Sequence, residues 1–275
     1  MKPGIKSTAS FSFLFSLLLI VGGCGGAGVK PVHPSSAPVP DPPIQSQDIT
    51  GNWQFSTTST VGMPPLTISG SITQSQTSLT GEVHVEGSSC FDQRTAIALT
   101  GTLSNGSMSL TSTAVNGQIF ILSGSITKKI GFPDSLTGTF AINGGCSDGD
   151  QGSSSGYNVL SLARYWAGNL TTTGGQSIHW DTQLNQNGPA SEGSFGLSGS
   201  FTLDNCFASG TATGGTFPSA SYILGTAVVL DINNGNSNLT FVGTMEPDGL
   251  IEGTYTITGG GCDSNGTGYL SPWEY

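Results

Sequence analysis

Three short stretches gather side chains that could do chemistry. Glu82-Val83-His84-Val85-Glu86 sets two carboxylates and an imidazole at alternate positions, so in an extended chain they share one face. Such a row suits a metal ion or a proton relay. Val83 and Val85, however, continue an apolar face begun by Leu79 and Gly81, which turns the charged row to solvent. Ile178-His179-Trp180-Asp181 puts His179 and Asp181 on one face, the spacing of a hydrogen-bonded surface pair. Arg94, just after Cys90, is a lone cation placed to meet an acidic ligand from a loop.

Asp148-Gly149-Asp150 and Asp263-Ser264-Asn265 space oxygen atoms as the start of a calcium loop does. The remaining acidic positions of such a loop are missing, and Asp or Asn beside Gly forms turns. Asp148, Asp150, Asp263 and Asn265 are therefore metal candidates on spacing alone, and no metal is expected. Gly152-Ser153-Ser154-Ser155-Gly156 matches a nucleophile elbow, but that motif needs a strand-to-helix turn and no helix is legible here. A glycan-cleaving enzyme needs two carboxylates across a cleft, and alternation sends most carboxylates outward or into turns. The chain thus reads as non-catalytic, with no cofactor.

The elements that must carry these residues are strands. A five-residue pattern around glycine, apolar–polar–Gly–polar–apolar as in Leu136-Thr137-Gly138-Thr139-Phe140, recurs along the chain, strictly or, at Gly168, Gly225 and Gly243, with an apolar residue directly before the glycine. It is centred on Gly51, Gly70, Gly81, Gly101, Gly124 and Gly138, then on Gly168, Gly199, Gly225, Gly243 and Gly253. Its period is two, with glycine on the apolar face. Glycine repeated across neighbouring strands lets a sheet coil towards closure. The first half predicts strands over 49–59, 65–75, 78–87, 95–104, 107–115, 118–128, 134–143 and 153–161, joined by turns such as Asn105-Gly106 and Asn116-Gly117.

The chain is duplicated. Cys90-Phe91 is echoed by Cys206-Phe207, and Gly144-Gly145-Cys146 by Gly260-Gly261-Cys262. The duplication predicts disulfides Cys90–Cys146 and Cys206–Cys262, one per unit, although four cysteines allow three connectivities. The expected architecture is all-β: a tandem pair of antiparallel meander barrels over 49–161 and 162–275, with two immunoglobulin-like sandwiches as the alternative. The net charge of −10 and the absence of a basic stripe argue against nucleic acid as a partner.

Lys2 and Lys6 precede an apolar run, Phe11 to Val21, of signal-peptide length. Val21-Gly22-Gly23-Cys24 resembles the lipobox of bacterial lipoproteins. The resemblance implies a signal peptide over 1–23, lipidation of Cys24, and, since Gly25 follows, the outer membrane. Multiple acyl chains make such an anchor stable. Residues 24–48 carry Pro31, Pro34, Pro38, Pro40, Pro42 and Pro43, the composition of an extended tether.

Ile49-Thr50-Gly51-Asn52-Trp53 and Leu136-Thr137-Gly138-Thr139-Phe140 resemble strands of avidin-type barrels, and Gly51-x-Trp53 looks like the first strand of lipocalins. The calycin-like resemblance implies a ligand-binding barrel, with Trp53 and Trp166 as candidate contacts beside Arg94. The set of tryptophans that lines a biotin pocket is not present. The expected function is binding of a small apolar molecule, in a barrel mouth, or of a glycan on a Thr/Asn-rich surface. The alternative is a structural or adhesion module with filled cores.

Overall fold

Alternation with inward glycines produces two closed antiparallel barrels in tandem. The computed structural model describes residues 48–129, 132–215, 217 and 219–273. The leader, Cys24 and most of the tether lie outside the described residues. Both barrels belong to one unit, Ser46–Tyr275.

Barrel 1 is an up-and-down meander of β1 (Gly51–Ser59), β2 (Thr67–Ser75), β3 (Ser78–Glu86), β4 (Ile97–Ser104), β5 (Ser107–Ser112), β6 (Ile119–Thr127), β7 (Ser135–Asn143) and β8 (Gln151–Val159). Closure comes from β1 pairing with β8, Gln54 opposite Tyr157. The predicted strands match these in number and order. Gly152–Gly156 lies within β8, so the serine pattern there is strand and no elbow forms.

Barrel 2 comprises β9 (Tyr165–Thr172), β10 (Ser177–Pro189), β11 (Phe195–Leu203), β12 (Ser209–Ala212), β13 (Tyr222–Leu224), β14 (Ala227–Asn233), β15 (Ser237–Met245), β16 (Ile251–Gly259) and β17 (Ser264–Pro272). It closes through β9–β17 and β10–β11. Here the fourth stave is broken. Both β12 and β13 pair with β11 on one side and β14 on the other, so they are two pieces of one strand separated by an excursion over 213–221. Gly225, expected at a strand centre, instead turns the β13–β14 hairpin at φ 56°. That left-handed conformation suits glycine.

The inward glycines bring strands close. Gly124 and Gly138 face each other across β6 and β7, and a Cβ on Gly138 would collide with the Ser123 carbonyl. Bulkier inward residues fill the rest: Phe55, Ile68, Leu110, Phe120 and Leu122 in barrel 1, Leu197, Phe201, Leu230, Phe241 and Leu270 in barrel 2, all sealed from water. These interiors are packed cores.

Each barrel has one plugged end and one stapled end. At the plug, Trp53 Nε1 donates to the Ile49 carbonyl at 2.8 Å, and Trp166 Nε1 to Leu162 at 2.9 Å. Gln74 Oε1 accepts from the Ile49 amide at 3.0 Å, and Gln186 Oε1 from Leu162 at 2.8 Å. At the other end lie the disulfides Cys90–Cys146 and Cys206–Cys262, each spanning 56 residues. The duplication therefore extends to individual hydrogen bonds.

Candidate functional site

The site is built from the outer face of barrel 1. Because Trp53 and Phe55 point inward, Asn52 and Gln54 point outward; the same parity puts Ser69 and Ser71 of β2, Glu82 and His84 of β3, and Tyr157 and Val159 of β8 on the outside. Register aligns His84, Ser69, Gln54, Tyr157 and Ser135 in one row across β3, β2, β1, β8 and β7. On this row stands the plugged end of barrel 2.

Polar contacts hold the seam. Asn52 makes a reciprocal pair with Gly225, donating to its carbonyl at 2.8 Å and accepting from its amide at 2.9 Å. Gln54 Oε1 accepts from the Thr226 amide at 3.2 Å and from the Ser69 hydroxyl at 2.7 Å. His84 is 1% exposed, with its Nε2 2.9 Å from the Glu192 carbonyl of barrel 2. The expectation of a solvated Glu82–His84–Glu86 face is corrected accordingly. Only Glu86 is fully exposed; Glu82 is partly covered and its carboxyl is pushed up, chiefly by burial, against the opposing field of His84, with Glu192 adding to the rise.

At the Tyr157 end of the row the seam opens into a groove of about 420 Å³. Barrel 1 contributes Phe132 and Pro133 from the β6–β7 loop and Tyr157 and Leu160 from the end of β8; barrel 2 contributes Met245 and Pro247 from the β15–β16 turn. Phe132 is 70% exposed, unusual for so large an apolar side chain. Lys129, Glu246 and the Tyr157 hydroxyl supply a polar fringe. Burial, with Glu246 adding to it, holds the Tyr157 hydroxyl above its usual 10.0, so it stays a neutral donor. An apolar cleft of this size with a few polar groups, at a junction between domains, is the usual form of a small-molecule site.

The candidates chosen from sequence lie elsewhere. Trp53 and Trp166 are buried with their indole N–H groups spent on main-chain carbonyls, so neither faces the groove. The packed interiors likewise correct the expectation of a ligand in a barrel mouth. Arg94 is exposed in a turn where its amide donates to Asp92 Oδ1 at 3.1 Å. Asp148 and Asp263 accept from the Gly144 and Gly259 amides at 2.6 and 2.9 Å, and Asp150 from the Ser59 hydroxyl at 2.6 Å. Asn265 sits exposed in β17, and no cluster of three metal-ligating side chains occurs among the described residues. Of the calcium-like residues, Asp148 and Asp263 thus serve turns. His179 and Asp181 form the expected surface pair at 3.2 Å. Sequence reasoning missed the groove residues. Their one signal was apolar side chains beside proline in turns, Phe132-Pro133 and Met245-Glu246-Pro247.

No protein-family model matches the chain, and no curated protein does. Among solved structures, an AttH protein of Nitrosomonas europaea is 12% identical, covering 80% of this chain and 92% of its own, with a TM-score of 0.22. Kievitone hydratase of Nectria haematococca is 9% identical, covering 81% and 88%, with a TM-score of 0.25. Likeness at this level carries no inference about this chain.

Proposed function

We propose that the protein is a lipid-anchored, non-catalytic carrier of the bacterial cell envelope that holds a small apolar molecule in the groove between its barrels. The groove is the observation that carries this: exposed Phe132 and half-exposed Leu160 face Met245 and Pro247 of the other barrel around a polar fringe. The anchor is Cys24 in the lipobox, with the proline-rich tether as spacer, and the outer membrane is its site. The two disulfides suit an oxidising compartment outside the cytoplasm. Acidic charge keeps nucleic acid off the list of partners.

The test uses N-phenyl-1-naphthylamine, an uncharged fluorophore that brightens in apolar sites. Saturable binding is expected, weakened about tenfold in Phe132→Ala, the loss of roughly 1.4 kcal/mol of apolar contact. The full chain is used, and Phe132 is exposed enough for its removal to leave the fold intact. Binding that is unsaturable, or unchanged in Phe132→Ala, rejects the groove.

A second function fits the outer face of barrel 2, where the glycan expectation finds support. Tyr165, Tyr269 and Trp273 are exposed on one side of adjacent strands β9 and β17. Between and beside them lie Asn169, whose Nδ2 donates to the Tyr269 hydroxyl at 2.9 Å, and the His179–Asp181 pair. Flat aromatic faces among neutral and acidic hydrogen-bonding groups suit an uncharged sugar chain. In gels cast with β-glucan, xyloglucan or galactomannan, retardation that disappears in Trp273→Ala is expected. Unaltered mobility in all three gels removes this function.

A further inference from the structure

His84 has a feature that its place in the seam does not require. Both of its ring nitrogens face carbonyl oxygens: Nδ1 lies 2.9 Å from Gln93 O in the loop after β3, and Nε2 lies 2.9 Å from Glu192 O of barrel 2. A neutral imidazole has one N–H, so one of these contacts would set a ring lone pair against a carbonyl lone pair. Only the doubly protonated ring satisfies both.

The surroundings suit a positive charge. Glu82 and Glu86 flank the ring on its own strand face, and Glu192 comes from the barrel 2 turn; Asp92 and Arg94 lie in the loop after β3. Glu192 Oε2 is sealed from solvent and has no hydrogen-bond partner. The Phe217 ring, from the excursion that breaks the fourth stave of barrel 2, stands 4.7 Å away, within range of a cation–π contact.

We infer that His84 is a proton-dependent latch: its imidazolium joins the two barrels, and loss of a proton releases one of its two carbonyl contacts and loosens the seam. The closed seam holds the second proton, so closure is favoured at low pH and lost as pH rises. The latch and the groove share one row, His84–Ser69–Gln54–Tyr157–Ser135. Thr226, held by Gln54, also accepts from the Met245 amide at 2.8 Å through its carbonyl. A loosened seam therefore separates the groove walls and releases ligand at alkaline pH; this consequence rests on the groove being the binding site.

The experiment has two arms on the full chain. The first uses no ligand. Nitrogen-15 spectra of the imidazoles, with the His84 signals assigned by His84→Gln, are expected to show both His84 nitrogens protonated at pH 5.5. Hydrogen exchange, corrected for its intrinsic pH dependence, is expected to rise at least tenfold at residues 190–194 and 222–226 between pH 5.5 and 8.5. A singly protonated His84 at pH 5.5, or protection in those segments that does not change with pH, overturns the latch. Neither reading requires the variant to fold like the wild type. The second arm measures N-phenyl-1-naphthylamine affinity over the same range. A severalfold fall in wild type, absent in His84→Gln, is expected. Constant affinity in wild type overturns the control of the groove, whereas lack of binding at every pH strikes the groove itself and leaves the first arm standing.

Discussion

At the scale of residues, several side chains that look reactive in the sequence are spent on structure. Asp148 and Asp263 tie turns, and Trp53 and Trp166 close barrel ends with equivalent indole bonds. Glu82 is the acid whose setting has a measurable consequence. Its folded carboxyl titrates above its ordinary value of 4.5, mainly because burial penalises the charged form. The folded state therefore binds the proton more tightly than the unfolded chain. The penalty is absent below the unfolded value and complete above the folded one, so stability falls as pH rises between them. Glu82→Gln removes the penalty. Its denaturation midpoint is expected to exceed that of wild type at pH 7 and to match it near pH 4; a variant less stable than wild type at pH 7 would contradict this.

At the scale of elements, glycine sets the curvature. On β6 and β7, Gly124 and Gly138 allow an approach that a Cβ on either would block. Gly138→Ala is expected to cost about 1–3 kcal/mol, as overpacking does, in spite of the entropy that alanine saves in the unfolded chain. Gly188→Ala is the control, because no atom lies within 4 Å of where its Cβ would be. Urea denaturation of the two variants checks the contrast, and equal stability would remove close approach as the reason for the repeat. Each meander is also tied across 56 residues by its disulfide. In the chain-entropy model a loop of that size contributes roughly 4 kcal/mol.

At the scale of the whole molecule, two packed barrels make a site that neither holds alone. Barrel 2 sets its plugged end on the flank of barrel 1, and Tyr157 and Val159 of β8 pack against the core of barrel 2. The rest of the join includes polar contacts: Asn52, Gln54 and His84 meet main-chain groups of the Gly225–Thr226 hairpin and of Glu192, and Ser69 donates to Gln54. Such contacts are directional and depend on hydrogen-bonding state, which suits a seam that responds to protons. The excursion that splits the fourth stave of barrel 2 brings Phe217 to His84. The two copies have diverged where they touch.

Alternation and repeated glycines gave the strands, their order in the first half and a barrel in preference to a sandwich, because inside and outside of a barrel differ in polarity at every step; the cysteine echoes gave the duplication. Cysteine echoes gave the disulfides for the same reason: each unit repeats one local topology. The seam, the groove and the buried His84 were decided only by tertiary structure. An outward Ser, Asn, Gln or His looks the same in sequence whether water or another main chain satisfies it, since either offers the hydrogen bonds it needs. The Gly225 turn was likewise hidden, because one glycine between apolar residues fits both a strand centre and a hairpin, and pairing with β11 and β14 alone decides between them.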